Sequence, residues 1–226
     1  MKIKKIKNIA RNGLKKLRQF SHIIGKKECP VCKKKVRHFS PLSHDLIKKI
    51  KASGFDLDIN EFETLNTKEY YCPHCRCSDR DRLYALEIKI MARENKIPPE
   101  GSFIEFAPVP ALTKKIRELL PGWKITTADL FDKNADDKVD ICNMQKEYPD
   151  KKFDMFLCSH VLEHVQDDVE ALKELFRITK KGGFGILMAP IHKKLEQTRE
   201  APDCKTEEER WKLFAQNDHL RLYSIS

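Results

Sequence analysis

Two pairs of cysteines at knuckle spacing carry the most explicit chemistry in this sequence: Cys29-Pro30-Val31-Cys32 and Cys72-Pro73-His74-Cys75. Each Cys-Pro-x-Cys turn offers two thiolates on one face, and two such turns complete a tetrahedral site for Zn2+. Four cysteine ligands leave no open coordination position, so the expected metal is structural. The glycine usual after such a knuckle is replaced by Lys33 in one and by Arg76 in the other. Cys77 is a possible substitute ligand, while Cys142, Cys158 and Cys204 read as buried or incidental thiols. Three histidines, His160, His164 and His219, are candidates by chemistry for taking a proton from an acceptor. Asp129 closes an apolar run about 20 residues past the turn after the first strand, where a carboxylate in a nucleotide-binding sheet accepts both ribose hydroxyls.

These residues need a scaffold that brings distant segments together. Apolar runs at 103–107, 124–130, 139–142, 153–158 and 184–189 read as strands. Helical patterns at 111–120 and 167–180 lie between several of them and stop at Pro121-Gly122 and Gly182-Gly183. A further amphipathic helix spans 79–97, ahead of Pro98-Pro99. Strands alternating with helices predict an α/β fold whose mostly parallel sheet is covered on both faces. Such sheets bind ligands beyond the carboxyl ends of their strands, where strand order reverses.

The 226 residues suffice for one medium α/β domain and a small addition. No apolar run approaches the roughly 20 residues that span a bilayer, and no secretory signal pattern opens the sequence. The expected location is therefore cytoplasmic, and the paired cysteines are read as metal ligands, not disulfides. The net charge of +10 is confined to the start of the chain. Residues 1–27 hold ten lysines and arginines and no acid, so the body is neutral overall and a broadly basic nucleic-acid face is not expected. Within that leader, Ile3, Ile6, Ile9, Ala10, Leu14, Leu17, Phe20 and Ile24 fall on one side of a helix. This suits the inner face of an anionic membrane, packing on the protein's own body, or an arm for a nucleic-acid backbone. Three parts result: a basic leader (1–27), a zinc-binding module (28–78) and an α/β domain (79–226).

Residues 103–190 resemble a class I S-adenosylmethionine-dependent methyltransferase domain. Glu105 matches the acid of that family's first motif, Asp129 the acid ending the second strand, and Asp140 in Val139-Asp140-Ile141 the acid near the adenine. Ser159-His160-Val161-Leu162-Glu163-His164-Val165 follows the fourth strand as the family's Leu-Glu-His segment does, and Lys180-Lys181-Gly182-Gly183 matches the turn before the fifth. The family's glycine-rich first loop is here Ala107-Pro108-Val109-Pro110-Ala111-Leu112. That form resembles a branch carrying paired Cys-Pro-x-Cys motifs upstream and an Asp-His-x-Arg-x-Tyr segment downstream, present as Asp218-His219-Leu220-Arg221-Leu222-Tyr223.

The resemblance implies a Rossmann-like methyltransferase sheet and S-adenosylmethionine held by Glu105, Ala107, Asp129, Leu130, Asp140, Ile141 and Ser159. His219 is the first choice for a catalytic base and His160 the second, while Glu163 and His164 equally suit holding their loop. The implied acceptor is a small molecule or glycan, with an RNA methyltransferase or a non-catalytic scaffold as alternatives. Only 36 residues follow position 190, so the closing hairpin is expected to be shortened. An exposed fifth strand would then be open to a homodimer partner.

Overall fold

Strand β3 (Gly101–Phe106) is buried from Phe103 to Phe106, which requires cover on both faces. The computed structural model describes residues 27–201 and 203–225. The leader, apart from Lys27, lies outside the described residues. In chain order, β1 (Lys27–Glu28) and β2 (Lys35–Val36) form a hairpin around the first knuckle. Helix α1 (His44–Ala52), a 3-10 turn (Ile59–Glu61) and α2 (Asp79–Arg93) precede β3. Then come α3 (Pro110–Leu119), β4 (Trp123–Asp129), β5 (Asp137–Lys138), β6 (Phe153–Ser159), α4 (Asp168–Ile178) and β7 (Thr179–Met188). Strands β8 (Arg199–Glu200) and β9 (Arg221–Leu222) flank α5 (Glu207–Phe214) and pair antiparallel with each other.

The sheet has the order β5-β4-β3-β6-β7, and every pairing in it is parallel. The chain grows outward from β3 to β5, then returns to β6 beside β3. The switch point therefore lies between the ends of β3 and β6. Alternation sorts the sheet's two faces. Phe103 and Leu157 point into a core with Ile88 and Ile116, whereas Ile104, Phe106 and Phe153 pack with Tyr148 and Leu175. Cys29, Val31, Cys72 and Cys77 belong to the first of these cores, so the knuckles are packed into the sheet's own interior.

Local signals explain the helix starts. Ser78 and Asp81 form a capping box on α2, Pro110 opens α3, and the Asp167 side chain accepts from Glu170 N at the start of α4.

Three boundaries differ from the sequence pattern. The strand expected over 139–142 pairs only at Asp137–Lys138. Asp140 Oδ1 accepts from the Cys142 amide at 2.9 Å, a turn that ends the extended chain while Val139 and Ile141 remain buried. The expected 180–183 turn lies inside β7, where a register shift opposite Phe153 and Met155 absorbs Gly182 at φ +82°. Helix α2 ends at Arg93, short of the prolines. Among the described residues β7 is an edge strand of a five-stranded sheet.

Candidate active site

The turns after β3 and β6 sit side by side at the switch point, and each begins with a non-glycine residue in the left-handed region. Ala107 has φ +50° and His160 φ +55°. Hydrogen bonds fix both, from Ala107 N to Ala128 O (3.1 Å) and from His160 N to Met188 O (2.8 Å). Of the three glycine positions replaced in the first loop, only Ala107 takes a positive φ. Val109 is extended, and Ala111 is helical. Glu105 is buried at the end of β3 and holds this loop by accepting from Thr113 Oγ1 (2.7 Å) and Val109 N (3.3 Å). Burial pushes its carboxyl up to about 7, against the pull of those two donors.

Three cavities meet here. A cleft of about 620 Å³ is lined by Ala107, Asp129, Leu130, Asp140, Ile141 and Val161, among others. Its volume suits a nucleoside-sized ligand. Asp129 Oδ1 accepts from the amides of Phe131 and Asp132, both at 2.7 Å, which fixes the carboxylate at the rim. A neighbouring cavity of about 290 Å³ contains Glu105, Ser159, Arg76 and Arg80 in its wall. Ser159 Oγ lies 2.7 Å from the Tyr84 hydroxyl of α2. A third cavity, of about 300 Å³, is walled by Leu42, Leu46, Ile50 and Phe62 from the segment between the knuckles, and by Asn217, Asp218 and His219 from the chain's last segment. His160 lines all three.

The Leu162-Glu163-His164 turn and the Asp218–Tyr223 segment, distant in sequence, are wired together. Arg221 is buried and donates to the carbonyls of Leu162 and Val165 (2.6 Å each) and of Gln166 (2.9 Å), while Leu220 N donates to Glu163 O (2.8 Å). Glu163, with 0% exposure, has Oε1 2.7 Å from His160 Nδ1 and 3.9 Å from His219 Nε2. Its burial favours the neutral acid, yet the hydrogen bond and charge of His160, with the charge of His219, bring the net shift below the usual carboxylate value. Burial lowers His219 to about 4, so it is a neutral imidazole at pH 7. His164 lies against Asp218 (3.4 Å) and packs edge-on to His219 with ring centroids 4.7 Å apart.

The four knuckle cysteines also converge. Cys29 and Cys75 Sγ are 3.8 Å apart, as are Cys32 and Cys72, and all four ligand atoms lie within 4.8 Å of one another. Zn–S bonds of about 2.3 Å in a tetrahedron place sulfurs about 3.8 Å apart, so this donor set fits zinc. Lys33 and Arg76, the glycine replacements, have φ +61° and +65°, and their amides donate to Cys29 O and Cys72 O. Cys77 is fully buried and accepts from Cys72 N through its carbonyl.

Sequence reasoning missed the wall residues Arg76 and Arg80 and the role of segment 42–65 in the third cavity. A visible signal was Arg76 itself, a long cation at a knuckle position that favours glycine.

Residues 116–187 match the family of methyltransferase domains, about a third of the chain. Ajmaline N-methyltransferase of Rauvolfia serpentina is 33% identical over 63 residues, covering 28% of this chain and 21% of that protein. Among solved structures, the trans-methyltransferase CalH, in complex with SAH, is 16% identical and has a TM-score of 0.37, covering 61% of this chain and 43% of that one. A SAM-dependent methyltransferase from Archaeoglobus fulgidus is 15% identical with a TM-score of 0.35, covering 45% and 51%. The chain thus spans about a fifth of the curated relative's length and about half or less of these two structures. The parallel sheet has a Rossmann-like architecture, and residues 116–187 within it are similar to methyltransferase domains. Among the described residues no helix is long and apolar enough to cross a membrane.

Proposed function

We propose that this protein transfers a methyl group from S-adenosylmethionine to an oxygen or nitrogen of a small polar acceptor of glycan type. The observation carrying this reading is the place of His160, on the wall shared by a nucleoside-sized cleft, a smaller cavity holding Arg76 and Arg80 beside Asp81 and Glu105, and a third cavity of mixed polarity. When bound, the cofactor supplies a sulfonium methyl group for direct displacement.

Each protein group has a defined task. Asp129 takes the ribose hydroxyls, with Asp140 and Ile141 beside the adenine. Arg76 and Arg80 match the carboxylate of the amino-acid end. Glu105 holds the first loop in shape. His160 takes the acceptor's proton, with Glu163 fixing its ring through Nδ1 so that Nε2, which has no hydrogen-bond partner, is available. His160 replaces His219 as the first choice of base, because a group lowered to about 4 is a weak proton acceptor at neutral pH. In the third cavity, apolar Leu42, Leu46 and Phe62 face Asn217 and Asp218, a combination suited to a sugar ring with its apolar face and hydroxyl rim.

Calorimetry with S-adenosylmethionine and S-adenosylhomocysteine tests the reading. Binding at one site is expected, and Asp129→Ala should weaken S-adenosylhomocysteine at least tenfold, since a charge-assisted hydrogen bond contributes roughly 1.5–3 kcal/mol. No binding to the intact protein would overturn the function. Unchanged affinity in folded Asp129→Ala would remove Asp129 from the site.

A further inference from the structure

Glu163, His164 and His219 each offer one ligand atom, and these atoms lie within 4.8 Å of one another. They come from the turn after β6 and the segment before β9, which Arg221 clamps together. Glu163 and His219 are buried, and Glu163 Oε2 and His219 Nδ1 have no hydrogen-bond partner; nor does His160 Nε2 beside them. An unsatisfied buried polar atom costs about 1–3 kcal/mol. Two of the three, the Glu163 carboxylate oxygen and the His219 nitrogen, belong to the candidate ligands and suit an occupant that carries positive charge, while His160 Nε2 stays free for its proton.

From this geometry we infer that Glu163, His164 and His219 form a second metal site, open toward the acceptor cavity, for a divalent first-row transition ion. Two imidazoles and one carboxylate favour such an ion over Ca2+ or Mg2+, which prefer all-oxygen shells. Three protein ligands leave positions for an acceptor oxygen, the arrangement of a reactive metal site and not of a closed structural one. His164 and His219 both line the third cavity, so an acceptor entering it meets the ion.

Metal–ligand bonds of about 2.0–2.2 Å need ligand atoms roughly 3–3.5 Å apart, closer than the 3.9 Å between Glu163 Oε1 and His219 Nε2. His164 is the exposed member, and the site closes by its movement. Oε1 of Glu163 keeps its bond to His160, so one carboxylate serves ion and base together. The role given to the ion, lowering the pKa of an acceptor hydroxyl, rests on the proposed methyl transfer; the site itself does not.

The test uses full-length protein with its cysteine site filled by zinc, titrated with Co2+ and followed by visible absorption. One further equivalent of Co2+ should bind with weak nitrogen–oxygen bands and without thiolate charge transfer. Glu163→Gln and His219→Gln should weaken it at least tenfold, and so should His164→Asn, whose exposed position keeps folding intact. No second equivalent, or an affinity unchanged in all three variants, overturns the site. S-adenosylhomocysteine calorimetry on the same samples separates the two claims. Cofactor binding without cobalt defeats the metal site alone, and cobalt without cofactor defeats the methyltransferase reading alone.

Discussion

The turns that follow β3 and β6 begin alike and diverge in chemistry. Each leaves its strand through a left-handed non-glycine residue, and each is held by a buried glutamate, Glu105 at the end of β3 or Glu163 within the second turn, at 1% and 0% exposure. Glu105 meets two neutral donors and is pushed up to about 7. Glu163 meets an imidazole and shifts the other way. Burial alone therefore does not set the protonation of a carboxyl group; the charge of its partner does. In the proposed reaction the first turn shapes the ligand's wall, and the second carries the groups that move a proton.

That contrast predicts very different outcomes for one conservative change. Glu163→Gln removes the charge that orients His160 and should lower kcat of methyl transfer by about 10²–10⁴-fold, the range of general base catalysis. Affinity for S-adenosylhomocysteine should stay within about twofold. An equal loss in affinity would show that the second turn is also only a wall.

Glu105→Gln should act on stability instead. A folded carboxyl raised from 4.5 to about 7 binds its proton more tightly than the unfolded chain does. The stability it contributes is complete below about 4.5 and is lost as pH rises to about 7. Between pH 5.5 and 8 the wild type should lose about 2 kcal/mol relative to Glu105→Gln in urea unfolding. A constant gap would place Glu105 among ordinary ionised carboxylates.

Much of this site was legible because its signals are local. A knuckle spacing, an acid ending a strand and a run of buried β-branched and aromatic residues each constrain a few adjacent positions. The two knuckles could be joined on paper because four thiolates at that spacing suit one tetrahedral ion. The bond between Glu163 and His160 was within reach, since they lie three positions apart on one turn, yet its strength depends on burial that only packing supplies. The clamp of Arg221 on Leu162 and Val165 joins segments more than 50 residues apart, and no periodicity encodes it. The segment between the knuckles was assigned only to the metal module. Its Leu42, Leu46 and Phe62 become cavity wall only because the cysteines are packed into the core of the sheet. The short ladder at β5 escaped because a side-chain turn at Asp140 outweighs the strand propensity of Val139 and Ile141.

The smallest effect separates the two turns at their shared feature. A left-handed backbone costs an L-residue roughly 1–2 kcal/mol, which glycine avoids. Glycine in turn has more unfolded-chain entropy to lose, by about 0.5–1 kcal/mol, so the net gain from Ala107→Gly is about 0.5–1 kcal/mol. Ala107 is exposed, and its recorded bond is made by its amide, so little contact is given up. For a chain of this size the gain corresponds to about 1–4 °C in Tm. S-adenosylhomocysteine affinity should hold or improve, because a missing methyl only widens the mouth of the cleft. His160→Gly relieves the same backbone strain but leaves the buried Glu163 carboxylate without its 2.7 Å partner, so it should lose stability instead, and it removes the proposed base and should abolish turnover. Calorimetric melting and turnover measured on both variants decide the matter. If His160→Gly retains turnover, the second turn is as passive as the first and the proton must leave by another route.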